Sequence, residues 1–295
     1  MVADGPNFGS IEDKKKCDCV REMVSSPDWK CTFHKLFRET NYGCGKSVKE
    51  AIDWFFTMES EGIILEDDTV PSQSFFQFSK EILEKYRNDD RVGIISGLNP
   101  FMEIKKPTYK NYYKSSSLSN ANLPDIMLDK SSYFFARNKT TWGWATWRRV
   151  WKYMDYKMTW LQAPDAHKIV RNMSHYDETL NEWMRVIDLI RNGKVNTWDW
   201  HFYFSLSAQN QLTIYPKKSL VSNIGVGENA THTYLSPRGN LLNRFEIKFP
   251  LIHPNLILAD DQWDAYYEKQ KFKNQFSLSK KILPKQLLGL WSTRK

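Results

Sequence analysis

Three consecutive carboxylates, Glu66, Asp67 and Asp68, follow directly on four residues suited to a buried strand, Gly62, Ile63, Ile64 and Leu65. Like charges held side by side repel, and taking them out of water is costly. A fold accepts such a triplet most readily where a cation offsets the repulsion, and the end of a buried strand facing a cleft is such a place in α/β proteins. Hard divalent ions such as Mn2+ or Mg2+ prefer oxygen ligands and commonly bridge to substrate phosphates. The local pattern therefore points to a metal-assisted site for a nucleotide or diphosphate. The competing reading is an acidic approach to a helix N-terminus, since 74–86 has helical periodicity and acids are favoured there.

The first hundred residues alternate between strand and helix patterns. Strands are expected at 1–3, 30–37, 62–65 and 92–96, and helices at 11–25, 44–58 and 74–86, with Val48, Ile52, Phe55 and Phe56 on one helical face. Such alternation with short connections predicts an α/β fold, a mostly parallel sheet with helices on both faces. Ligands bind at the carboxyl ends of strands in sheets of this kind. The turn at Asp4, the loop from Asn41 to Lys46 and the acids at 66–68 all fall at such ends, so three polar loops are expected to share one cleft.

Further along, 103–130 is a Lys-, Tyr-, Ser- and Asn-rich insertion that reads as a mobile loop, and 131–136 reads as a strand. Trp144, Trp147, Arg148 and Trp151 recur at helical spacing, and Gly143 between Trp142 and Trp144 suggests a turn that presents a ring. The stretch 165–192 reads as helical, 196–210 as a helix with Asp199 in its first turn, 212–215 as a short strand, and 222–233 as glycine-bearing and irregular.

The chain has a net charge of +8, which suits a phosphate-bearing ligand or an anionic surface. No dense basic block or nucleic-acid motif accompanies it, so nucleic acid is not an expected partner. All four cysteines lie within the first 44 residues, and Cys17 and Cys19 are too close for the usual zinc pair. They read as free thiols of a reducing, cytoplasmic compartment. No signal-peptide pattern is present, and no apolar run nears the ~18 residues of a membrane span. The basic tail from Lys269 carries scattered apolar residues, among them Phe272, Phe276 and Trp291. It reads either as a peripheral membrane contact or as a helix packed on the domain.

Gly45, Lys46 and Ser47 spell the ending of a phosphate-binding P-loop, but Thr40 stands where the leading glycine belongs. A P-loop NTPase is therefore an alternative reading. The ordered set ADGP (3–6), NYGCGKSV (41–48), GIILEDD with SFFQF after it, SG (96–97), WGWATWRRVW, TWDW and SNIGVGENATHT is more specific. Over about residues 2–255 it resembles a bacterial and large-virus group of GT-A-fold nucleotide-diphospho-sugar glycosyltransferases, distantly related to N-acetylglucosaminyltransferase I.

The resemblance implies a metal-dependent, inverting glycosyltransferase that moves a sugar from a nucleotide diphosphate, UDP by default, to a glycan or lipid-linked acceptor. It implies Asp68 as the Mn2+ or Mg2+ ligand, Glu66 and Asp67 facing the donor sugar and ribose, and Asp4 near the base. Asn41 and Lys46 would line the nucleotide pocket, and Asp199 would be the general base. An inverting displacement needs a base opposite the leaving group, and a carboxylate desolvated between Trp198 and Trp200 suits that task. His232 is a candidate further metal ligand or phosphate contact, with His201 a weaker one. Trp142, Trp144 and Trp198 are candidate rings for the acceptor sugar, against plain core packing. The expected organisation is one GT-A domain over 1–255, with a nucleotide half at about 1–100 and an acceptor half at about 130–255, then a basic tail over 256–295. Family members carry a strand before the ADGP turn that this sequence lacks. A sheet without it would expose an edge, and an inert carbohydrate- or nucleotide-binding remnant is the non-enzymatic alternative.

Overall fold

Apolar spacing decides the helices. Phe75, Phe78 and Ile82 fall on one face of α3 (Gln73–Lys85), and Ile52 and Phe56 on one face of α2 (Gly43–Met58); all five are buried. The computed structural model describes residues 1–24, 26–100, 130–225 and 243–272. The other helices are α1 (Ile11–Met23), α4 (Arg148–Trp151), α5 (Ala166–Asn172), α6 (Asp177–Arg191), α7 (Asp199–Ala208) and α8 (Asp261–Lys271). The strands are β1 (Val2–Ala3), β2 (Leu36–Phe37), β3 (Glu61–Ile64), β4 (Thr69–Pro71), β5 (Val92–Ser96), β6 (Tyr133–Ala136), β7 (Trp144–Trp147), β8 (Leu212–Pro216) and β9 (Val221–Asn223).

The fold is α/β, but the central sheet is mixed rather than mostly parallel. Its order is β3-β7-β5-β8-β6. Only β5 and β8 pair in parallel; β7 runs antiparallel to both β3 and β5, and β6 antiparallel to β8. Because β7 opposes both its neighbours, β3 and β5 point the same way, as the strand–helix alternation predicts. The later strand β7 slots between them and converts what would be a parallel pair into two antiparallel ones. Strands β1 and β2 pair in parallel only with each other, and β4 pairs antiparallel with β9.

Several local expectations change in the structure. Of 30–37, only Leu36 and Phe37 form a strand. The tryptophan-rich stretch is not one helix: Trp144–Trp147 is a strand buried at every position, and helical turns begin at Arg148. The stretch 165–192 breaks into α5 and α6 around His175. Residues 261–271 form α8, which docks on the domain through buried Trp263, Asp264, Tyr267 and Glu268. The insertion at 103–130, apart from Lys130, lies outside the described residues, as do His232 and the tail beyond Phe272. Among the described residues no helix is long and apolar enough to cross a membrane.

The main core joins α2, α3 and the sheet, with Trp144, Trp147, Trp151, Trp198 and Phe202 at its centre. A second core, around Trp183, Tyr203 and Phe204, packs α5, α6 and α7 together. A buried ring of this size removes roughly 150–250 Å² from water, or about 4–6 kcal/mol before conformational entropy is subtracted. The stacked pair Trp144–Trp198, with centroids 5.6 Å apart, ties β7 to the start of α7. That contact fixes where Asp199 stands.

Candidate functional site

Strand β3 ends at Ile64, and the three acids form the turn that leads into β4. The amide and hydroxyl of Thr69 both donate to the Glu66 carbonyl, at 3.1 and 2.7 Å. On the other side the Ile224 amide donates to the Asp68 carbonyl at 2.8 Å. The triplet's backbone is thus pinned by β4 and by the exit of β9. A Cβ on Gly225 would overlap the Asp68 carboxylate, so a glycine is needed for the chain to pass this close. Asp67 is exposed, while Glu66 and Asp68 are half-buried. Burial, then the charges of Asp68, Asp199 and Asp67, push the Glu66 carboxyl up to about 7. The neighbours that raise it come from the turn after β3 and from the start of α7.

Asp199 is the first residue of α7, held in place by the Trp198 ring among Trp144, Trp151 and Phe202. Its Oδ1 is buried with no hydrogen-bond partner among the described residues, as are Thr197 Oγ1, His201 Nδ1 and Asn223 Nδ2. Partner-less buried polar atoms are uncommon in native folds. Here they lie beside the acids on α7 and on β9. The Cys44 thiol, in the first turn of α2, is pushed up to about 11 by partial burial and by Glu66, Asp199 and Asp4. Asp199 and the acidic turn therefore converge on the N-terminus of α2.

That N-terminus is closed from within. The Asp4 carboxylate accepts from the backbone amides of Gly5 (2.9 Å), Tyr42 (3.0 Å) and Gly43 (3.0 Å). Tyr42 supplies no side-chain cap to α2, so Asp4 takes that role from 38 residues away. Lys46 is exposed, 3.8 Å from Glu50 and with its ammonium 4.3 Å from the Tyr42 ring centroid; Asn41 is exposed beside Gly43. A Cβ on Gly45 would approach the Tyr156 hydroxyl to 2.6 Å and overlap the Asn196 amide. This glycine lets the first turn of α2 press against the segment that carries Asp199.

The structure thus brings Glu66, Asp68, Asp199, Cys44 and Asp4 together, with Lys46 and Asn41 on the rim of the same helix end. It corrects two of the expected acceptor rings. Trp144 is fully buried and Trp198 is 2% exposed, so both are core, and no sugar can lie on them. Trp142 remains half-buried next to the tight turn at Gly143. Tyr156, Asn196 and Asn223 are site neighbours that the sequence did not single out; the paired glycines at 43 and 45 are the one local hint of close approach there. All four cysteines are free thiols. Two open grooves among the described residues lie elsewhere: about 700 Å³ between α5 and α7, and about 260 Å³ beside the loop 6–11. The chemistry identifies the site better than concavity does, because neither groove contains one of the converging acids.

Among the described residues no three His, Cys, Asp or Glu side chains form a ready-made metal cage. A hard divalent ion bound chiefly through substrate phosphates needs only one or two carboxylates. Asp68 is one such carboxylate, and a cation there would offset the negative charge that, after burial, raises Glu66. No protein-family model matches the chain, and no curated protein matches it.

Proposed function

We propose that the chain is a metal-dependent, inverting glycosyltransferase of GT-A type that takes its donor sugar from a nucleotide diphosphate, UDP by preference, and delivers it to a glycan or lipid-linked acceptor. The observation that carries this reading is the convergence of the strand-end acids with Asp199 across 130 residues of chain, leaving Asp199 Oδ1 buried and without a partner. Asp68 would hold the Mn2+ or Mg2+ ion, which when bound offsets the negative charge developing on the departing diphosphate. Asp199 accepts the proton of the attacking acceptor hydroxyl at its unpartnered oxygen. Glu66 and Asp67 line the donor side. Unbridged cysteines suit a cytoplasmic site of action.

A specific observation counts against the P-loop alternative. An NTPase loop offers its helix-terminal amides to phosphate, whereas Asp4 already occupies those of Tyr42 and Gly43. The test is a thermal-shift panel of UDP, GDP, dTDP, ATP and UDP-sugars with and without Mn2+. The reading expects Mn2+-dependent stabilisation by a nucleoside diphosphate or its sugar that is lost in Asp68→Ala. Stabilisation by ATP alone, or none by any diphosphate, overturns it.

A further inference from the structure

With Trp144 and Trp198 sealed in the core, another residue offers an aromatic surface against α7, the helix that begins at Asp199. Tyr156 is half-exposed, and its ring stacks on the imidazole of His201, with centroids 4.2 Å apart and planes 21° from parallel. His201 lies two residues after Asp199 on α7 and is only 7% exposed, so it backs the phenol ring from beneath. The Tyr156 hydroxyl stands against the first turn of α2 at Gly45. The pair therefore bridges the helix end that faces the acidic turn and the helix that carries Asp199.

Three side-chain atoms entering α7 lack hydrogen-bond partners although buried: Thr197 Oγ1, Asp199 Oδ1 and His201 Nδ1. Buried groups left unsatisfied cost about 1–3 kcal/mol each, and a polyhydroxyl ligand supplies what they lack. A flat ring next to such a set matches a pyranose, which offers an apolar C–H face and hydroxyls at its edge. Electrostatics narrows the class. Burial lowers the affinity of His201 for a proton, and the Asp199 charge offsets this only in part. A neutral imidazole beside Asp199 and Asp155 gives no attraction to an anion, whereas a neutral hydroxyl can donate to or accept from it.

We propose that Tyr156 and His201 form a shelf for an uncharged sugar ring beside Asp199, which is the acceptor subsite. The word acceptor rests on the glycosyl-transfer reading above; the sugar contact itself does not. Tyr156, backed by His201, provides the stacking face, and Thr197 Oγ1 holds a hydroxyl adjacent to the one that Asp199 deprotonates.

The test is saturation-transfer NMR on the whole chain with UDP and Mg2+, using the methyl glycosides of glucose, galactose, mannose, N-acetylglucosamine and glucuronic acid. At least one neutral glycoside is expected to bind with a Kd on the order of 1 mM, and to weaken about tenfold or more in Tyr156→Ala. Tyr156→Leu keeps the bulk without the aromatic face and guards against loss of folding; it is expected to weaken the same glycoside comparably. No binding of any neutral glycoside, binding unchanged in both variants, or glucuronide bound as well as the best neutral sugar would each overturn the proposal. A parallel melt with UDP and Mg2+ separates the two readings. If the nucleotide does not stabilise the wild-type protein but the glycoside binds in a Tyr156-dependent way, the shelf stands and the transferase reading falls.

Discussion

Replacing Asp4 separates two roles that its position permits. The carboxylate accepts three backbone amides, from Gly5, Tyr42 and Gly43, the last two at the start of α2. Hydrogen bonds to a charged acceptor contribute about 1.5–3 kcal/mol each when well desolvated. Asp4 is half-exposed, so screening puts these bonds at or below the low end of that range. The Gly5 amide is adjacent in sequence and readily passes to water. Removal of an N-cap costs about 0.5–2 kcal/mol, and the lost charge at the helix dipole about 0.3–1 kcal/mol. Asp4→Ala should therefore cost about 1–3 kcal/mol, and Asp4→Asn, which keeps one acceptor oxygen, about 1 kcal/mol or less. At this chain length 1 kcal/mol shifts Tm by roughly 2–4 °C.

Thermal melts followed by far-UV circular dichroism, with amide exchange at Tyr42 and Gly43, read this out. Capping predicts a lowered Tm and faster exchange at those two amides, with UDP-dependent stabilisation largely preserved in Asp4→Asn. A direct contact to the nucleotide base predicts the reverse: an unchanged melt of the free protein and loss of the UDP response. A Tm within about 1 °C of wild type in Asp4→Ala, with unaltered exchange at Tyr42 and Gly43, refutes the capping argument.

Three further outcomes are expected. Asp199→Asn should leave nucleotide binding nearly intact and lower turnover on the order of 10²-fold or more, measured as sugar transfer or donor hydrolysis; an unchanged rate removes Asp199 as the base. Trp198→Ala should destabilise by about 3–5 kcal/mol in urea titration, because its ring is packed among Trp144, Trp151 and Phe202; a cost below about 1 kcal/mol contradicts its core role. The hydrogen bond from His175 to the buried Glu268, 2.6 Å long, raises the imidazole's affinity for a proton above its ordinary value of 6.5. The stability from that pair is complete below pH 6.5 and is lost as pH rises through the raised value. The Tm gap between wild type and His175→Gln should narrow as pH increases, and a gap constant from pH 5 to about 9 denies the coupling.

The elements whose signal is local were legible in the sequence. Helices α2 and α3 lie within a residue or so of the expected bounds because their apolar faces recur at helical spacing. The acids sit at the end of β3, as a strand run broken by charge implies. What escaped is settled by distant contacts. Strand β7 is buried at all four positions, so it shows no alternation, and Trp144 and Trp147 three apart imitate a helix. Its place between β3 and β5 depends on which strands meet in space, and the order of elements along the chain does not encode that. Whether Trp198 faces a cleft or a core is decided by Trp144, 54 residues earlier.

The acids of α8 carry the argument furthest. By composition, Asp264 and Glu268 belong on a solvated face, yet both are fully buried. Asp264 accepts from the Arg137 and Asn138 amides and the Asn138 side chain, each at 2.8 Å. Glu268 accepts from the His175 amide at 2.9 Å and from Thr179 Oγ1 at 2.8 Å. Each carboxylate that α8 buries thus meets donors the fold already owns, and those hydrogen bonds hold the helix in place, although burial still raises the Asp264 carboxyl. Glu66, Asp68 and Asp199 are drawn together with fewer donors: burial, and then the charge of its neighbours, pushes Glu66 up to about 7, and Asp199 keeps a buried oxygen with nothing to accept. Sequence composition does not distinguish these two kinds of acid. The supply of donors does, and a cluster that the chain leaves short of them is where an external cation and hydroxyl have something to contribute.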